Sequence, residues 1–290
     1  MRLRSMLFVP GDSERKFVKG AACGADALIL DLEDAVTPAM KPTARAQVAG
    51  LISDRSPRDW AFFVRVNPLQ TGLTHADLAA VVRPGLDGIV VPKADGAADV
   101  ETIANDLEAL EIASGMDVGS VKIVVVATET PQAMFNLGSY TPPHPRLAGL
   151  TWGAEDLSAA IGATTARLPD GAWTSPYVVA RALCLFAAAS AGVAPLETLY
   201  ADYRDSEGLA ADCAAARRDG FTGRIAIHPD QVPIINAGFT PSPADLDHAR
   251  RVVRAFADQP DAGTVGIDGK MYDRPHLTAA EKTLAAAGEG

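Results

Sequence analysis

The hydrophobic residues of the chain gather in eight short runs that are rich in valine and isoleucine and that lead into polar residues. Near-continuous apolar runs of this length are typical of strands that are buried on both faces, as the strands of a parallel sheet are. The runs cover residues 5–10, 27–34, 62–67, 88–93, 122–130, 147–156, 195–200 and 224–229. We therefore predict eight strands in chain order.

Segments with helical character separate these runs. They are residues 12–23, 41–53, 97–114, 174–191 and 205–219. The first begins with an Asp or Ser cap, and Gly220 ends the last. Strands that alternate with helices in this way predict an α/β protein of the (β/α)8 TIM barrel class. An open doubly wound sheet is the alternative, but no G-x-G-x-x-G turn follows the first run.

The C-terminal part differs in kind from these units. We expect a barrel catalytic domain over residues 1–240 and a helical and loop extension over residues 241–290. Within the extension, residues 241–258 predict a helix that Ser242 precedes, residues 259–276 predict a glycine-containing loop, and residues 277–287 predict a short helix. A loop of this length in a compact protein is often functional.

Charged residues follow several of the predicted strands. They include Asp31, Glu33, Asp34, Arg65, Lys93, Glu129, Glu155, Asp156 and His228. Barrel enzymes place their chemistry at the carboxyl ends of the strands, and burial of an unpaired charge is costly. These side chains are therefore expected to converge on one polar pocket at the barrel mouth.

Several carboxylates in one pocket repel each other unless a cation balances them. No His-x-x-x-His or Cys-x-x-Cys pattern accompanies them, which argues against zinc. Oxygen ligands favour Mg²⁺, with Mn²⁺ as the alternative, and Glu129 and Asp156 are the expected metal ligands. Arg65 is expected to bind a substrate carboxylate with its forked donors.

Each of these residues also has a plainer interpretation. Glu33 and Asp34 are more readily explained as structural groups that cap a helix or hold Arg65 or Lys93. Lys93 itself is either a salt-bridge partner or a Schiff-base lysine. His228, which precedes a proline, is expected to be a hydrogen-bonding loop residue. The basic N-terminal residues are expected to be solvated, with phosphate contact as the alternative; they are Arg2, Arg4, Arg15 and Lys16.

Composition limits the class of protein further. Of 290 residues, 48% are hydrophobic and 21% are charged, which excludes intrinsic disorder. The net charge of −10 shows no basic block, so we expect no nucleic-acid partner. The initial apolar stretch is too short for a signal peptide, residues 177–194 are too interrupted to span a membrane, and the three cysteines are scattered. A cytoplasmic protein without a membrane partner is the expectation.

Eight motifs along the chain resemble the citrate lyase β-subunit-like proteins (HpcH/HpaI aldolases), which are related to malyl-CoA and citramalyl-CoA lyases. The motifs are RSMLFVPGDSERK (4–16), ADALILDLEDAV (25–36), FVRVN (63–67), VPKA (91–94), ATETP (127–131), WGAEDLSAAIG (152–162), AIHPDQV (226–232) and GIDGKMYDRPH (266–276). They occur in order across nearly the whole chain. Together they indicate the family without indicating which member.

The resemblance implies a (β/α)8 barrel that assembles as a homotrimer or a hexamer. It implies a Mg²⁺ ion held by Glu129 and Asp156, and a keto acid or hydroxy acid bound by Arg65. Glu33 and Asp34 would support the metal's outer shell.

The resemblance also implies roles for backbone and tail. The backbone amides of the turn formed by Gly153, Ala154, Glu155 and Asp156 would bind the substrate carboxylate. In the malyl-CoA lyase branch, the tail loop reaches the neighbouring subunit's site. There Asp268 would act as acid/base and Lys270 would lie near coenzyme A.

The expected function is a Mg²⁺-dependent lyase that cleaves a citryl-, malyl- or citramalyl-CoA thioester to an acyl-CoA and a 2-keto acid. The alternatives are a malyl-CoA thioesterase, a pyruvate-type aldolase that does not use coenzyme A, and a subunit of a citrate lyase complex that needs an acyl-carrier partner. Met134, Trp152 and Leu157 are candidates for setting substrate size.

Overall fold

Eight parallel strands close into a barrel in the computed structural model, which describes residues 1–54 and 56–289. The strands are β1 (Ser5–Pro10), β2 (Ala27–Asp31), β3 (Ala61–Arg65), β4 (Gly88–Val91), β5 (Lys122–Val126), β6 (Leu147–Thr151), β7 (Ala194–Glu197) and β8 (Gly223–Ala226). Each strand pairs with the next, and β8 pairs with β1 to close the ring. The predicted TIM barrel is confirmed.

Helices connect the strands. They are α1 (Glu14–Ala21), α2 (Lys41–Ser53), α3 (Thr74–Val81), α4 (Ala97–Ala113), α5 (Pro131–Asn136), α6 (Glu155–Ile161), α7 (Ser175–Ala191), α8 (Ser206–Asp219) and α9 (Gln231–Gly238). Short 3₁₀ turns occupy Pro38–Met40, Leu69–Thr71 and Leu137–Tyr140. None of the helices in the described ranges is long and apolar enough to cross a membrane.

Except for β1, which covers the predicted residues 5–10, the strands end earlier than the apolar runs predict. The run at residues 27–34 forms a strand only as far as Asp31. The Asp31 carboxylate accepts hydrogen bonds from the backbone N–H groups of Glu33 and Ala35, both at 2.9 Å. These bonds turn the chain away from the sheet, so the acids that follow the strand lie on the loops at the barrel mouth.

A cluster of buried apolar side chains, contributed mostly by the strands, fills the inside of the barrel. The cluster contains Leu3, Met6, Ala27, Ile29, Phe63, Val90, Val124, Val126, Leu196 and Ile225. Between β5 and β6 the register shifts at Ile123 and Val124. After the shift, Val126 lies beside Thr151 of β6, and Thr151 lies beside Leu196 of β7. The register therefore brings Thr151 to the upper end of this interior.

A second compact unit begins at Ala237, whereas the sequence predicts the extension from residue 241. It contains α10 (Pro243–Ala257), β9 (Thr264–Ile267), β10 (Lys270–Asp273) and α11 (Arg274–Ala286). Ser242 precedes α10, as expected, and it also caps the helix, because its hydroxyl accepts from Asp245 N at 3.1 Å. An apolar core of its own holds the unit together: Ala249, Val252, Phe256, Val265, Ile267, Ala280 and Leu284.

The loop prediction for residues 259–276 is wrong, because most of that segment forms an antiparallel hairpin. Asp268 and Gly269 connect its two strands with φ angles of 51° and 74°. Positive φ at both central residues is the feature of a type I′ turn, whose twist suits a tight hairpin. The last helix accordingly begins at Arg274, earlier than the predicted residue 277.

Candidate active site

Arg65, the last residue of β3, is fixed at the barrel mouth by two acids. Its Nε and Nη2 donate to the two carboxylate oxygens of Asp31, each at 2.7 Å, and its Nη1 lies 2.8 Å from Glu33 Oε2. The guanidinium also lies over the Phe8 ring, 4.6 Å from its centroid. Burial opposes the charge, but these acids outweigh it and raise the pKa of Arg65. Arg65 therefore stays cationic with its orientation fixed.

Asp31 is the partner that sequence reasoning placed at the strand end without giving it a role. It is 1% exposed, and the forked pair with Arg65 outweighs the effect of burial and lowers its pKa. The signal that could identify it is register: Asp31 of β2 lies directly beside Arg65 of β3. Two side chains at the same register of adjacent parallel strands point to the same face.

Lys93, which follows β4, connects three acids. Its Nζ lies 2.5 Å from Glu33, 3.3 Å from Asp156 and 3.5 Å from Asp34. Burial works against the charge, but Glu33 and the neighbouring acids raise the pKa of Lys93. A Schiff-base lysine needs a neutral amine, so this environment favours the salt-bridge interpretation. The structural role expected for Glu33, which is to hold Arg65 and Lys93, matches the geometry.

Glu129 lies after β5 and is only 6% exposed. Its Oε2 accepts from the backbone N–H of Lys93 at 2.6 Å, and Lys93 has a φ of 50°. Burial raises the pKa of Glu129; Lys93 opposes the rise, and the Asp156 and Glu33 carboxylates add to it. A cation at this carboxylate would hold it ionised.

The turn after β6 approaches Glu129 closely. A Cβ on Gly153 would lie 2.8 Å from Glu129 Cγ and 3.1 Å from its Oε1, so only glycine fits without a shift. The Gly153 N–H donates to Thr128 Oγ1 at 3.1 Å, so this amide already has a partner. Ala154 occupies the N-cap position of α6 without a side-chain capping bond, and Glu155 and Asp156 lie in the first turn, where backbone N–H groups have no partner within the helix.

These residues surround a cavity of about 230 Å³. Its lining includes Asp34, Arg65, Glu129, Gly153, Glu155 and Asp156. Trp152 also lines it, whereas Met134 and Leu157 are not among its lining residues. The structure thus brings part of the predicted set together in one pocket. The other predicted barrel residues outside its lining are Asp31, Glu33, Lys93, Ala154 and His228, of which Asp31 and His228 line a second cavity.

A larger cavity of about 950 Å³ shares Phe8, Arg65 and Leu199 with the first. Three basic side chains around α1 line it: Arg15, Lys16 and Lys19. Its remaining lining is largely apolar. This cavity could take a ligand with anionic and apolar parts. Arg4 differs from these residues, because it pairs with Asp26 at 2.8 Å.

His228 has the environment of a loop residue. Its ring stacks on Tyr203 with centroids 4.6 Å apart, and its Nδ1 accepts from Asp230 N at 3.3 Å. These contacts match the hydrogen-bonding role expected from the sequence. The side chain also lines the larger cavity.

The donor set fits a hard divalent cation. Glu129 and Asp156 offer carboxylate oxygens to one cavity, and within the described residues no group of three His, Cys, Asp or Glu side chains forms a ready-made cage. Mg²⁺ usually binds through one or two carboxylates while water and substrate supply the other oxygens. The chemistry of these residues therefore suits Mg²⁺ better than zinc.

Asp268 and Lys270 lie on the hairpin of the second unit. Asp268 is 71% exposed at its side chain and pairs with Arg251 at 2.5 Å. Lys270 is the first residue of β10 and is exposed. Their predicted contribution to a neighbouring subunit's site stays a prediction.

The fold and the cavity define a (β/α)8 barrel protein whose mouth combines an anchored arginine with carboxylates suited to a divalent cation. A model of the HpcH/HpaI aldolase/citrate lyase family matches residues 4–229. The chain belongs to that family, as its motifs predict.

Individual relatives cover almost the whole chain. The (3S)-malyl-CoA thioesterase of Cereibacter sphaeroides (strain ATCC 17029 / ATH 2.4.9) is 36% identical over 98% of this chain and 94% of its own length. Citrate lyase subunit beta of Escherichia coli (strain K12) is 36% identical over 98% of this chain and 93% of its own length. The crystal structure of CitE from Mycobacterium tuberculosis in complex with magnesium, acetoacetate and coenzyme A has a TM-score of 0.78 at 33% identity, and covers 99% of this chain and 98% of that one.

Proposed function

We propose that the protein is a Mg²⁺-dependent lyase that cleaves, or forms, the C–C bond of a 3-hydroxy-3-carboxyacyl-CoA of the citryl-, malyl- or citramalyl-CoA type. The products are an acyl-CoA such as acetyl-CoA and a 2-keto acid. The observation that carries the proposal is the single cavity in which the anchored Arg65 meets Glu129 and Asp156. An arginine and a carboxylate pair suit an α-hydroxy acid held on a divalent cation.

Glu129 and Asp156 would hold the ion, and Glu33 and Asp34, the other two carboxylates near Lys93, would support its outer shell. When bound, Mg²⁺ supplies Lewis-acid polarisation of the oxygen that becomes the keto group. Mn²⁺ is the alternative ion, because its ligand preferences are similar.

Arg65 would bind the substrate's carboxylate and hydroxyl oxygens with the N–H groups that its acid partners leave free. The backbone amides at the start of α6, those of Ala154, Glu155 and Asp156, would orient the same carboxylate. In the cleavage direction the hydroxyl proton leaves, the C–C bond breaks, and its electron pair forms the enolate of the acyl-CoA. That enolate then takes up a proton at carbon. A carboxylate that moves these protons contributes ~10²–10⁴-fold, and we assign this role to Asp268 of a neighbouring subunit.

Coenzyme A would occupy the larger cavity, because its phosphates need cations and Arg15, Lys16 and Lys19 supply them. The overall charge of −10 makes such local cations necessary. Lys270 would contact coenzyme A from the tail.

We further propose a homotrimer or hexamer in which residues 1–240 form the catalytic barrel and residues 241–290 complete a neighbour's site. A cytoplasmic location and small-molecule partners alone fit this proposal. Two variants test the shared site. Asp268→Asn and Asp156→Asn should each be nearly inactive alone and should regain partial activity when co-assembled. Lack of recovery would contradict a shared site.

A malyl-CoA thioesterase is the second candidate, because a relative with that name is as similar as the citrate lyase subunit. A coupled assay separates the two. Purified protein with Mg²⁺ is given malyl-, citramalyl- and citryl-CoA, and keto acid and free thiol are followed separately. Keto acid without free thiol supports the lyase, and thiol without keto acid supports the thioesterase. Silence in both channels would refute both and lead to aldolase substrates without coenzyme A, or to a missing acyl-carrier partner.

A further inference from the structure

Thr151, the last residue of β6, faces the barrel axis at the bottom of the smaller cavity. It pairs in register with Val126 of β5 and Leu196 of β7, which both belong to the interior apolar cluster. Residues at the same register of parallel strands share a face. Thr151 lines the cavity that also contains Arg65 and Glu129.

The Thr151 hydroxyl is buried without a protein partner. The residue is 2% exposed, and Oγ1 has no hydrogen bond within the described part of the chain. A buried hydroxyl without a partner destabilises a protein, and each such group asks for an explanation. Because this hydroxyl lines a ligand cavity, a bound ligand would supply the missing hydrogen-bond partner.

The floor around this hydroxyl is apolar. Phe8, Val90, Val126 and Ile225 line it. Thr198 adds a second threonine beside them. With a volume of about 230 Å³, the cavity has room for a small acid.

The charged residues of the cavity lining distinguish acids with one carboxylate from acids with two. Among the described residues that line the cavity, Arg65 is the one cation, whereas Asp34, Glu129, Glu155 and Asp156 are acids. Lys93, nearby, already lies within ion-pair distance of three acids. Arg65 and a divalent cation can pair with the carboxylate of a 2-oxo acid and balance its charge. A second carboxylate on the apolar floor would meet no cation, and burial of an unpaired charge is costly.

We propose that the floor selects a 2-oxo acid with one carboxylate and a short uncharged substituent, and that Thr151 helps to bind this acid by donating its hydroxyl hydrogen to one of the acid's oxygens. The inference rests on the proposed lyase function and deepens it. Glyoxylate and pyruvate fit the description, and oxaloacetate, with its second carboxylate, does not.

The first test measures kcat/KM in the condensing direction, with acetyl-CoA, Mg²⁺ and each of glyoxylate, pyruvate and oxaloacetate. We expect glyoxylate or pyruvate to exceed oxaloacetate by at least about tenfold, the order that one unpaired polar group produces. A preference for oxaloacetate overturns the inference and leaves the lyase function intact. No condensation with any acid, and no cleavage of the matching thioesters, removes the lyase function and the inference with it.

The second test uses Thr151→Val, which keeps the shape and removes the hydroxyl. We expect kcat/KM for the preferred acid to fall about tenfold. The melting temperature without ligand should stay the same or rise, because an unpaired buried group is gone. The rise in melting temperature that Mg²⁺ and the preferred acid cause in the wild type should shrink. Thr151→Ser, which keeps the hydroxyl, should stay within about threefold of wild type in kcat/KM.

Tyr140→Phe is the matched control. Tyr140 is also 2% exposed with a hydroxyl that has no protein partner, and it lies outside the lining of this cavity. It should reproduce the stability result of Thr151→Val and leave kcat/KM unchanged. If Thr151→Val instead lowers the melting temperature and leaves kcat/KM unchanged, the hydroxyl serves the fold, and the inference is overturned.

Discussion

The ion pair between Arg65 and Asp31 can be tested by removing its cation. Arg65→Met keeps a long unbranched side chain and leaves the carboxylates of Asp31 and Glu33 buried, at 1% and 4% exposure. Removing one partner of a buried pair costs about 3–5 kcal/mol, because the other charge stays buried. We expect the lower end, about 3 kcal/mol. Asp31 keeps two backbone N–H donors, and Glu33 keeps Lys93 at 2.5 Å.

This loss should depend on pH with a defined sign. In the wild type the folded-state pKa of Asp31 lies below its ordinary value, so its contribution is present above that value and is lost as pH falls through the folded pKa. Without Arg65, burial should raise the folded-state pKa above the unfolded one. The penalty then grows as pH rises from about 4 and is smaller once the carboxyl is protonated. Arg65→Met should therefore be less destabilising at pH 5 than at pH 8.

Urea unfolding followed by tryptophan fluorescence provides the assay. All three tryptophans (Trp60, Trp152 and Trp173) lie in the barrel unit, so the signal reports that unit. The control is the double variant Asp31→Asn/Arg65→Met, which removes both charges. Its loss in free energy of unfolding should be about 2 kcal/mol smaller than the sum of the losses of the two single variants. Additivity within about 0.5 kcal/mol, or equal losses at pH 5 and pH 8, would refute the reasoning.

Three further predictions follow from single contacts. Gly153→Ala should displace Glu129, because the new Cβ would lie 2.8 Å from Glu129 Cγ, and it should abolish the rise in melting temperature that Mg²⁺ causes. The control Gly138→Ala, which has open space around its Cβ, should retain that rise. Glu111→Gln should cost about 3 kcal/mol in urea unfolding at pH 7, because it breaks a fully buried ion pair. The pKa of Glu111 is lowered, because its arginine partner and two backbone N–H donors outweigh burial. The loss should therefore shrink as pH falls below the ordinary carboxyl pKa of about 4.3 and through the folded pKa, and a loss that stays equal at every pH down to about 3 would contradict it. Borohydride with pyruvate should leave the protein mass unchanged, since Lys93 is held protonated; a covalent adduct would contradict its salt-bridge role.

Strand order and barrel closure were predictable because buried parallel strands have a strong local pattern. The strand ends were not predictable, since the apolar runs continue into polar residues whose backbone no longer pairs with the neighbouring strand. Asp31 shows the cause, because its own carboxylate turns the backbone. These hydrogen bonds depend on the direction of the Asp31 side chain, which the pattern of apolar residues does not predict.

The sequence predicted which residues lie at the candidate site, but not the ion pairs and hydrogen bonds between them. Arg65, Glu129 and Asp156 follow strands, and strand ends meet at one mouth. Thr151 was missed for a different reason. Which of Leu150 and Thr151 faces the axis depends on the register shift between β5 and β6, and that shift is a property of the strand pair. A period-2 pattern within one strand leaves both choices open.

The hairpin of the second unit shows how one residue can satisfy a structural and a chemical demand. Asp-Gly is a strong hairpin signal, but its flanking strands TVGI and KMYD are short and largely exposed, so their alternation is weak. Because Asp268 has a φ of 51°, an aspartate here is explained by the turn as well as by catalysis. Asparagine tolerates the same backbone, and the pair that Asp268 forms with Arg251 is exposed and contributes little. Asp268→Asn therefore removes the carboxylate and preserves the hairpin, whereas Asp268→Ala would change both. Loss of activity in Asp268→Asn, with an unchanged melting temperature, would assign the carboxylate to proton transfer, and retained activity would assign this aspartate to the turn alone.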